Sequence, residues 1–379
     1  MAASAQSYFR GPKKYQAEGR EYTRFNNYVI FKQSCHHLTE KKDLYGLYPE
    51  EHWDLFKYSP TFALLFSIFA FLPNFLGLFL WNSANALILF LAIKLVPQLR
   101  TKDKAYILWF VLIELMTSMQ NEQSNGLMAG LIILSFVFLE KNKYLWAALF
   151  IALTIFIKVF GIVAFSLFLL YPKRIKSIGY SLWWIAILAM LPLIVVSFSQ
   201  LRLLYSSWLK LLTNDYSISY GLSIMGWLVA WFNLKLNKML ILLIGCLIFY
   251  IPFIRISYYK DFYFRLLALV SVLLWMVIFN HKAESPMFVI ALSGVGIWYF
   301  SQQKKPENMT LLIFAFILTS LSPTDIFPKF LKDKLVKPLV LKAVPCIFIW
   351  FKLIYEMVFV KYSPKSENMN AAPNCKVKL

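Results

Sequence analysis

Long apolar runs separated by short polar connectors are the feature that most constrains this chain. Hydrophobic residues make up 59% of its 379 residues, and charged residues only 15%. An ordinary soluble domain has about 25% charged residues, and its surface cannot cover so much apolar area. The composition therefore excludes a soluble globular enzyme and a disordered chain, and it predicts an all-α, polytopic integral membrane protein with about 10–12 membrane segments. The runs have the approximate bounds 60–72, 75–97, 105–118, 126–140, 145–171, 179–199, 222–233, 238–254, 264–280, 286–300, 308–321 and 338–360.

Some of these runs are short or interrupted. The runs 60–72 and 105–118 hold about 13 residues each, fewer than the ~20 that a spanning helix needs. The run 145–171 is interrupted by Lys158 and Gly161. Irregular helices are tolerated at membrane depth only where they line a protein cavity or a water-filled one. The pattern therefore predicts short and broken helices around a cavity.

The charge distribution divides the chain into three parts. Residues 1–58 hold nine basic and seven acidic residues, which leaves 30 basic and 12 acidic residues for the rest of a chain with net charge +20. Since Lys and Arg are retained in cytoplasmic connectors, we expect a non-cytoplasmic loop with short helices at 1–58, a transmembrane domain at 59–360 and a basic cytoplasmic tail at 361–379. The longer polar connectors 201–221 and 322–337 are expected as loops on the same side as residues 1–58. Because the basic residues lie in connectors rather than on one face, nucleic acid is not an expected partner.

Five polar groups stand out against the apolar background. Each has a plain structural reading: a solvated loop, a capped hairpin turn, or a lysine that reaches the membrane interface. Each also has a functional reading, because carboxylates and imidazole serve as acids and bases, and lysines hold phosphate. The four cysteines and four histidines show no metal-ligand spacing, so no metal site is predicted. The groups are Arg24–Tyr28 with Glu50–Pro60, Gln120–Gly126, Lys158, Asn214–Gly221 and Asn280–Pro286.

The order of these motifs resembles that of glycosyltransferase family 87, a family of membrane mannosyltransferase-like proteins with the GT-C fold. The resemblance covers about residues 22–300 and rests on four short motifs. They are Asp43-Leu44-Tyr45, Lys57-Tyr58-Ser59-Pro60, Gln123-Ser124-Asn125-Gly126 and Ile157-Lys158-Val159-Phe160.

The resemblance implies an enzyme of a bacterial plasma membrane that acts on the non-cytoplasmic face. It implies a polyprenyl-phosphate-linked sugar donor, mannose-like, and a glycan or lipid acceptor, with no cofactor. We assign candidate residues by role. Catalytic candidates are His281, Glu284, Asn27, Glu51 and Asp54. Donor-phosphate candidates are Lys57, Tyr58, Lys158 and Lys282. Sugar and acceptor candidates are Asn26, Gln120, Gln123, Asn125, Asp215 and Tyr220.

Two departures from the family pattern leave alternatives open. The resemblance implies a spanning helix before the first loop, and the sequence begins without one. The expected loop aspartate falls at Asn26 or Asn27, and an amide is not a useful base at neutral pH. His281, with Glu284, is therefore our first choice for the acid/base role. A transporter or flippase for a lipid-linked sugar, and a catalytically inactive family member, remain alternative readings.

Overall fold

Two neighbouring helices form the centre of the molecule. Helix α13 (Phe262–Ile278) and helix α14 (Phe288–Phe300) pack against each other, and every residue of Leu266–Ile278 and Phe288–Tyr299 is buried. Both segments are apolar on all sides, which is typical of a helix surrounded by protein. Because α13 and α14 are central, the connector between them, residues 279–287, lies at the middle of one end of the bundle. A computed structural model describes residues 2–14, 20–214 and 219–360 of the chain.

The remaining elements surround this central pair. Helices α6 (Thr101–Gln120), α7 (Asn125–Glu140) and α17 (Val344–Phe359) pack against α13 or α14. Helices α5 (Asn74–Leu95) and α8 (Tyr144–Ile157) pack on α7, and α9 (Arg174–Met190) packs on α8. The other helices are α1 Ala2–Phe9, α2 Asn26–Thr39, α3 Pro60–Leu65, α4 Ser67–Ala70, α10 Phe198–Asn214, α11 Ile224–Phe232, α12 Lys238–Tyr250, α15 Pro306–Phe314 and α16 Lys329–Leu331. Tighter 3₁₀ segments are Val159–Leu170, Leu191–Ile194, Ile251–Ile254, Ile256–Lys260 and Ser285–Met287, and wider π segments are Ala315–Leu321 and Lys332–Val336.

The described residues contain very little strand. The two-residue strands β1 (Lys13–Lys14) and β2 (Glu21–Tyr22) pair antiparallel. The prediction of an all-α fold is therefore confirmed. Each of the twelve predicted apolar runs corresponds to a helix or to a pair of consecutive helical segments.

The structure shows helical segments in two connectors that were predicted as loops. It also shows that one helix is longer than its apolar run. The run 105–118 belongs to α6, a helix of 20 residues. Residues 201–221 are not a loop over most of their length, because α10 occupies Phe198–Asn214. Its buried residues Leu201, Leu204 and Trp208 recur every three or four positions, so one face packs inward while polar residues separate them. The connector 322–337 also contains the short α16 and a π segment.

Two helices are long and apolar enough to cross a bilayer by length and composition. They are Asn74–Leu95 and Arg174–Ile194, the second being α9 with the 3₁₀ turn that follows it. The other apolar helices of the described residues are shorter, with 10–17 residues. The predicted tail 361–379 lies outside the described residues.

The predicted interruption within 145–171 is present at Lys158. Helix α8 ends at Ile157, and Lys158 has extended backbone angles of φ −144° and ψ 120° before the 3₁₀ segment begins. Gly161 permits the close return of that segment, because a Cβ atom at Gly161 would lie 2.3 Å from Oγ1 and 2.9 Å from the carbonyl carbon of Thr154. The break thus presents the Lys158 side chain at the end of α8.

The loop preceding α3 and helix α10 lie together at the connector end of the bundle. The Gln200 side chain donates to the Lys41 carbonyl at 2.9 Å, and the Trp208 indole donates to the Lys57 carbonyl at 3.3 Å. The Ser207 hydroxyl donates to Asp43 at 3.3 Å. Residues 41–57 are therefore held against α10 over the same end of the molecule.

Replacing Gly161 by alanine tests the close packing at the break. We expect Gly161→Ala to lower the free energy of unfolding by about 1–3 kcal/mol, because the added methyl group overlaps Thr154. Thermal unfolding of the purified protein in detergent measures the effect. The matched control is Gly179→Ala on α9, where a Cβ meets nothing within 4 Å and alanine is the better helix former. Equal unfolding temperatures for the two variants would contradict the assignment.

Candidate active site

Four of the predicted site residues form a continuous hydrogen-bonded network. Lys158 Nζ donates to Asn125 Oδ1 at 2.6 Å, and Asn125 Nδ2 donates to Gln123 Oε1 at 2.8 Å. Gln123 Nε2 in turn donates to Glu284 Oε2 at 2.8 Å. We call these four residues the Lys158–Glu284 network. It joins the break after α8, the start of α7 and the α13–α14 connector.

The order of donors and acceptors in the network follows from the side chains. An ammonium group only donates and an ionised carboxylate only accepts, so the two amides between them must each accept on one side and donate on the other. Lys158 is half-buried and Glu284 is exposed. The charges of Lys158 and Glu284 also attract each other across the network. The site therefore offers a sheltered cation and an accessible carboxylate in fixed relative positions.

Tyr58 brings the N-terminal loop to the network. Its hydroxyl is 3.3 Å from Ser124 Oγ, and its carbonyl accepts a hydrogen bond from the Tyr45 hydroxyl at 3.0 Å. The Tyr58 ring stacks on Phe62 of α3, with centroids 4.5 Å apart. Burial raises the pKa of the Tyr58 hydroxyl. Tyr58 is therefore a neutral hydrogen-bond donor at physiological pH.

The α13–α14 connector places His281 close to the same end of the break. The His281 ring lies edge-on to the ring of Phe160, and the two ring centroids are 6.4 Å apart. Phe160 follows Lys158 by two residues. Gly221 packs directly on the connector, because its φ is +57° and a Cβ there would lie 2.7 Å from the His281 carbonyl oxygen. The Leu222 amide donates to the Ala283 carbonyl at 2.8 Å. Backbone contacts thus fix the connector that carries His281 and Glu284.

Lys282 is part of this connector, and Tyr220 lies beside it, next to Gly221. The Lys282 amide donates to Asn280 Oδ1 at 2.9 Å, and the charges of Lys282 and Lys238 repel each other. Lys238 Nζ is 5.0 Å from the centre of the Tyr220 ring. Both predicted residues therefore lie in or beside the network's connector. Asp215 lies outside the described residues.

The α6–α7 connector, residues 121–124, turns one acidic side chain inward. Glu122 has a left-handed backbone with φ 50°, and its side chain is buried. Burial raises the pKa of the Glu122 carboxyl well above its ordinary value, and its backbone carbonyl accepts from the Trp81 indole at 2.7 Å. With Glu122 inward, Gln123 and Asn125 are directed toward Lys158. Asn27 donates to the Asn121 carbonyl at 2.8 Å, which ties α2 to the same connector.

The other predicted loop residues are engaged elsewhere. Asn26 exchanges two hydrogen bonds with the backbone of Trp53. Glu51 lies 2.9 Å from the buried His37 ring, and Asp54 pairs with Lys57 at 3.1 Å. No contact between these side chains and the Lys158–Glu284 network is present among the described residues. Their contacts stabilise the loop that ends at Tyr58.

A large cavity lies next to the α13–α14 connector, whose residues Ser285 and Pro286 form part of its wall. It has a volume of about 780 Å³. Gln120 lies on its wall and contacts α1 through the Gln6 side chain. The cavity is lined by Gln6, Arg10, Leu112, Ile113, Met116, Thr117, Gln120, Asn121, Leu222, Ser285, Pro286, Ser322, Pro323, Thr324, Asp325, Lys332, Val336, Lys337 and Lys342.

Sequence reasoning missed the buried ion pair next to this cavity. Lys342 Nζ donates to Glu114 Oε1 at 2.7 Å and to Ser285 Oγ at 2.8 Å. Both charged side chains are almost inaccessible, with 4% and 0% of their side-chain surfaces exposed. A lysine within an apolar run is the signal that identified Lys158, and the run 338–360 offered it at Lys342 and again at Lys352.

The fold and site define a helical protein in which a cation and a carboxylate are joined through two amides beside a cavity. The chain belongs to glycosyltransferase family 87, whose family model matches residues 56–280, more than half of the chain. The match includes Tyr58, Gln123, Asn125 and Lys158. No curated protein matched the chain.

His52 should make the N-terminal loop sensitive to acid. His52 is buried, its Nδ1 is 3.0 Å from the Asp54 carbonyl, and burial lowers its pKa below 6.5. The folded loop therefore holds the ring neutral, whereas the unfolded chain protonates it below its ordinary pKa. This contribution to stability is complete above pH 6.5 and is lost as the pH falls through 6.5 toward the lowered pKa.

The measurement is the thermal unfolding temperature at pH 7.5 and pH 5.5. We expect His52→Asn, whose amide can replace Nδ1, to reduce the loss on acidification relative to the wild type. His36→Asn is the matched control, because the half-buried His36 ring contacts Phe71 on the outside of α2. The control should keep the wild-type difference. Identical acid sensitivity in all three proteins would refute the role of His52.

Proposed function

We propose that the protein transfers a sugar, mannose-like, from a polyprenyl-phosphate donor to a glycan or lipid acceptor at the Lys158–Glu284 network. Membership of glycosyltransferase family 87 supports glycosyl transfer as the reaction. The observation that carries the site assignment is the network itself, which joins a half-buried ammonium to an exposed carboxylate through two amides. A cation can stabilise the leaving phosphate, and a carboxylate can accept the proton of the acceptor hydroxyl.

We also propose that the chain crosses a bacterial plasma membrane several times, with the site on the non-cytoplasmic face. Family membership and the apolar helices indicate membrane association. Support for multiple crossings comes from apolar side chains that face outward on several helices, which a soluble surface rarely shows. They include Leu87 and Phe90 of α5, Leu182 and Trp183 of α9, and Leu243 and Leu247 of α12. A lipid-linked donor needs such contact with the bilayer.

Lys158 is the group that we assign to the donor phosphate. In the reaction the bond between the sugar anomeric carbon and the phosphate oxygen breaks, and the bonding electrons leave with polyprenyl phosphate. The leaving group gains negative charge, and a fixed cation in a sheltered site stabilises that charge most effectively. Tyr58 supplies a neutral hydroxyl donor. Lys57, which pairs with Asp54, and Lys282 of the α13–α14 connector are proposed as further cations for the phosphate.

Glu284 and His281 are the groups that we assign to acid/base chemistry. The acceptor hydroxyl forms the new bond to the anomeric carbon and gives its proton to a base. The Gln123 amide holds Glu284 Oε2 in the Lys158–Glu284 network. Glu284 Oε1 is therefore the atom that we assign as the acceptor of the proton. His281 lies on the same connector. Asn27, at the position of the family's loop aspartate, donates its amide to a carbonyl and is assigned no proton transfer.

Sugar recognition is assigned to the amides and hydroxyls around the network. Gln123 and Asn125 lie within it, and Gln120 lies on the adjoining cavity wall. Amides both donate and accept hydrogen bonds, as sugar hydroxyls do. Asn26, Tyr220 and Asp215 complete the set proposed for sugar or acceptor contact.

Three substitutions test the assignments in a transfer assay with polyprenyl-phosphate-mannose and an extract of cell-envelope lipids and glycans. Lys158→Gln keeps a donor for Asn125 but removes the charge, and we expect kcat to fall by about 10²–10³-fold.

Glu284→Gln should lower kcat by about 10²–10⁴-fold if it is the base. His281→Ala should lower turnover about tenfold or more.

Matched controls are Lys210→Gln and Glu307→Gln, which change the same side chains at exposed positions of α10 and α15. Both should retain wild-type turnover. If folded Lys158→Gln and Glu284→Gln variants also stay within about threefold of the wild type, the site assignment is wrong. A large effect of His281→Ala with none of Glu284→Gln would move the base to His281.

Asn27 favours one alternative, a catalytically inactive family member. Its amide cannot take a proton, and the family pattern has an aspartate there. Folded, membrane-inserted protein without turnover on any polyprenyl-phosphate sugar would support this alternative. Movement of a fluorescent lipid-linked sugar across vesicles, without transfer, would instead support a flippase.

A further inference from the structure

The buried ion pair beside the α13–α14 connector is not used by the proposed reaction. Lys342 Nζ lies 2.7 Å from Glu114 Oε1, and both side chains are almost inaccessible. The loss of hydration of two buried charges offsets most of their attraction, so such a pair is weak evidence for stability. Glu114 Oε2 is buried as well, and it has no hydrogen-bond partner among the described residues. Stabilisation of the fold is therefore a poor explanation for the pair.

Lys342 also contacts both ends of the turn that follows Glu284. Its ammonium donates to Ser285 Oγ at 2.8 Å and lies 5.1 Å from the centre of the Phe288 ring, at the start of α14. Between these two contacts the chain forms the 3₁₀ turn Ser285–Met287, whose last amide donates to the Glu284 carbonyl at 3.0 Å. The ammonium therefore holds the turn to which the Glu284 backbone is hydrogen-bonded.

Lys342 is itself held by separate parts of the bundle. Its carbonyl accepts from the Thr319 hydroxyl at 2.8 Å, and Thr319 belongs to the π segment Ala315–Leu321. Its ammonium is paired with Glu114, which belongs to α6. Lys342, Thr319 and Glu114 are all buried. The contact with Ser285 therefore connects the α13–α14 connector to a fixed point in the core.

We propose that Lys342, held by Glu114, is a positioning residue that fixes the Glu284 carboxylate through Ser285. The proposal rests on the proposed function, in which Glu284 accepts the proton of the acceptor hydroxyl. A base works only within hydrogen-bond reach of the proton that it takes, and a displacement of about 1 Å can lower a rate about a hundredfold. Gln123 holds the side chain of Glu284, and Lys342 holds the next residue of the chain.

Ser285→Ala removes the acceptor of this hydrogen bond and leaves the ion pair in place. In the transfer assay we expect kcat to fall about tenfold or more, because the base is less well placed. KM should stay within about twofold of the wild type, because substrate binding is not the step that suffers. Ser285→Thr keeps the hydroxyl and should restore most of the turnover.

Ser271→Ala is the matched control for this substitution. Ser271 is also buried and accepts from the indole of Trp350 at 3.0 Å, but it lies within α13 rather than in the connector. The control should therefore retain the wild-type kcat. Equal losses of kcat in Ser285→Ala, Ser285→Thr and Ser271→Ala would overturn the proposal.

Replacing both charged residues separates positioning from stability. Glu114→Met combined with Lys342→Met removes the ion pair without leaving an isolated buried charge. Such replacements are often neutral or stabilising, so we expect the unfolding temperature in detergent to stay at or above that of the wild type. We expect kcat to fall as in Ser285→Ala. A wild-type kcat in this double variant would overturn the proposal.

The Glu284→Gln background distinguishes positioning from a general structural defect. If Lys342 and Ser285 act through Glu284, adding Ser285→Ala to Glu284→Gln should lower kcat by less than about threefold more, because the two changes remove one function. A general defect would multiply the loss caused by Glu284→Gln, and that result would contradict the proposal.

Amide hydrogen exchange separates this inference from the proposed function, because it needs no turnover. We expect Ser285→Ala to speed exchange in the peptide that covers residues 279–287, and Ser271→Ala to leave that peptide unchanged. Faster exchange, with no transfer from any polyprenyl-phosphate sugar, would leave Lys342 as the residue that fixes Glu284 and would reject the proposed function. Unchanged exchange in Ser285→Ala would reject this inference even in an active transferase.

Discussion

The burial of the Lys158 ammonium is the interaction on which the candidate site depends. An ammonium in an apolar bundle is costly unless oxygen atoms surround it. Asn125 supplies one at 2.6 Å, but only because α8 stops at Ile157 and Gly161 lets the chain return against Thr154. A continuous helix would direct residue 158 elsewhere. The break, the glycine and the polar start of α7 are therefore parts of one arrangement.

Lys342 is a second buried ammonium group that needs oxygen partners. There the partner is a carboxylate, Glu114, and the two charges are nearly inaccessible. Replacing one member of such a pair leaves an isolated buried charge, which is strongly destabilising. The two ammonium groups flank the α13–α14 connector, which meets one network through Glu284 and the other through Ser285. Because nearly all residues of α13 and α14 are buried, both ends of this connector are anchored in the core.

Sequence patterns were informative about segments and about isolated polar residues. The apolar runs predicted the helices, and Lys158, Gln123, Asn125 and Glu284 were all singled out because polar residues amid apolar ones require a reason. Their meeting was not predictable from spacing alone, since it depends on how α7, α8 and α13 pack. Helix α10 was missed because its polar face hides a buried stripe of Leu201, Leu204 and Trp208. The loop residues Glu51 and Asp54 could not be distinguished from active groups, since their local partners, His37 and Lys57, are seen only in three dimensions.

The proposed position of the base depends on the contacts that the loop amides make. In the family pattern the first loop carries an aspartate, whereas here Asn27 uses its amide to bind the α6–α7 connector. Asn26 likewise binds the backbone of Trp53. Both amides hold the loop in place, a task for which a donor is needed and a carboxylate is unsuited. Since the loop amides are engaged in structural contacts, the proposed proton transfer is assigned to His281 and Glu284 of the α13–α14 connector. The Tyr58 hydroxyl contacts Ser124 of the α6–α7 connector, and Gln123 of that connector binds Glu284, so the loop and the proposed base contact the same short segment.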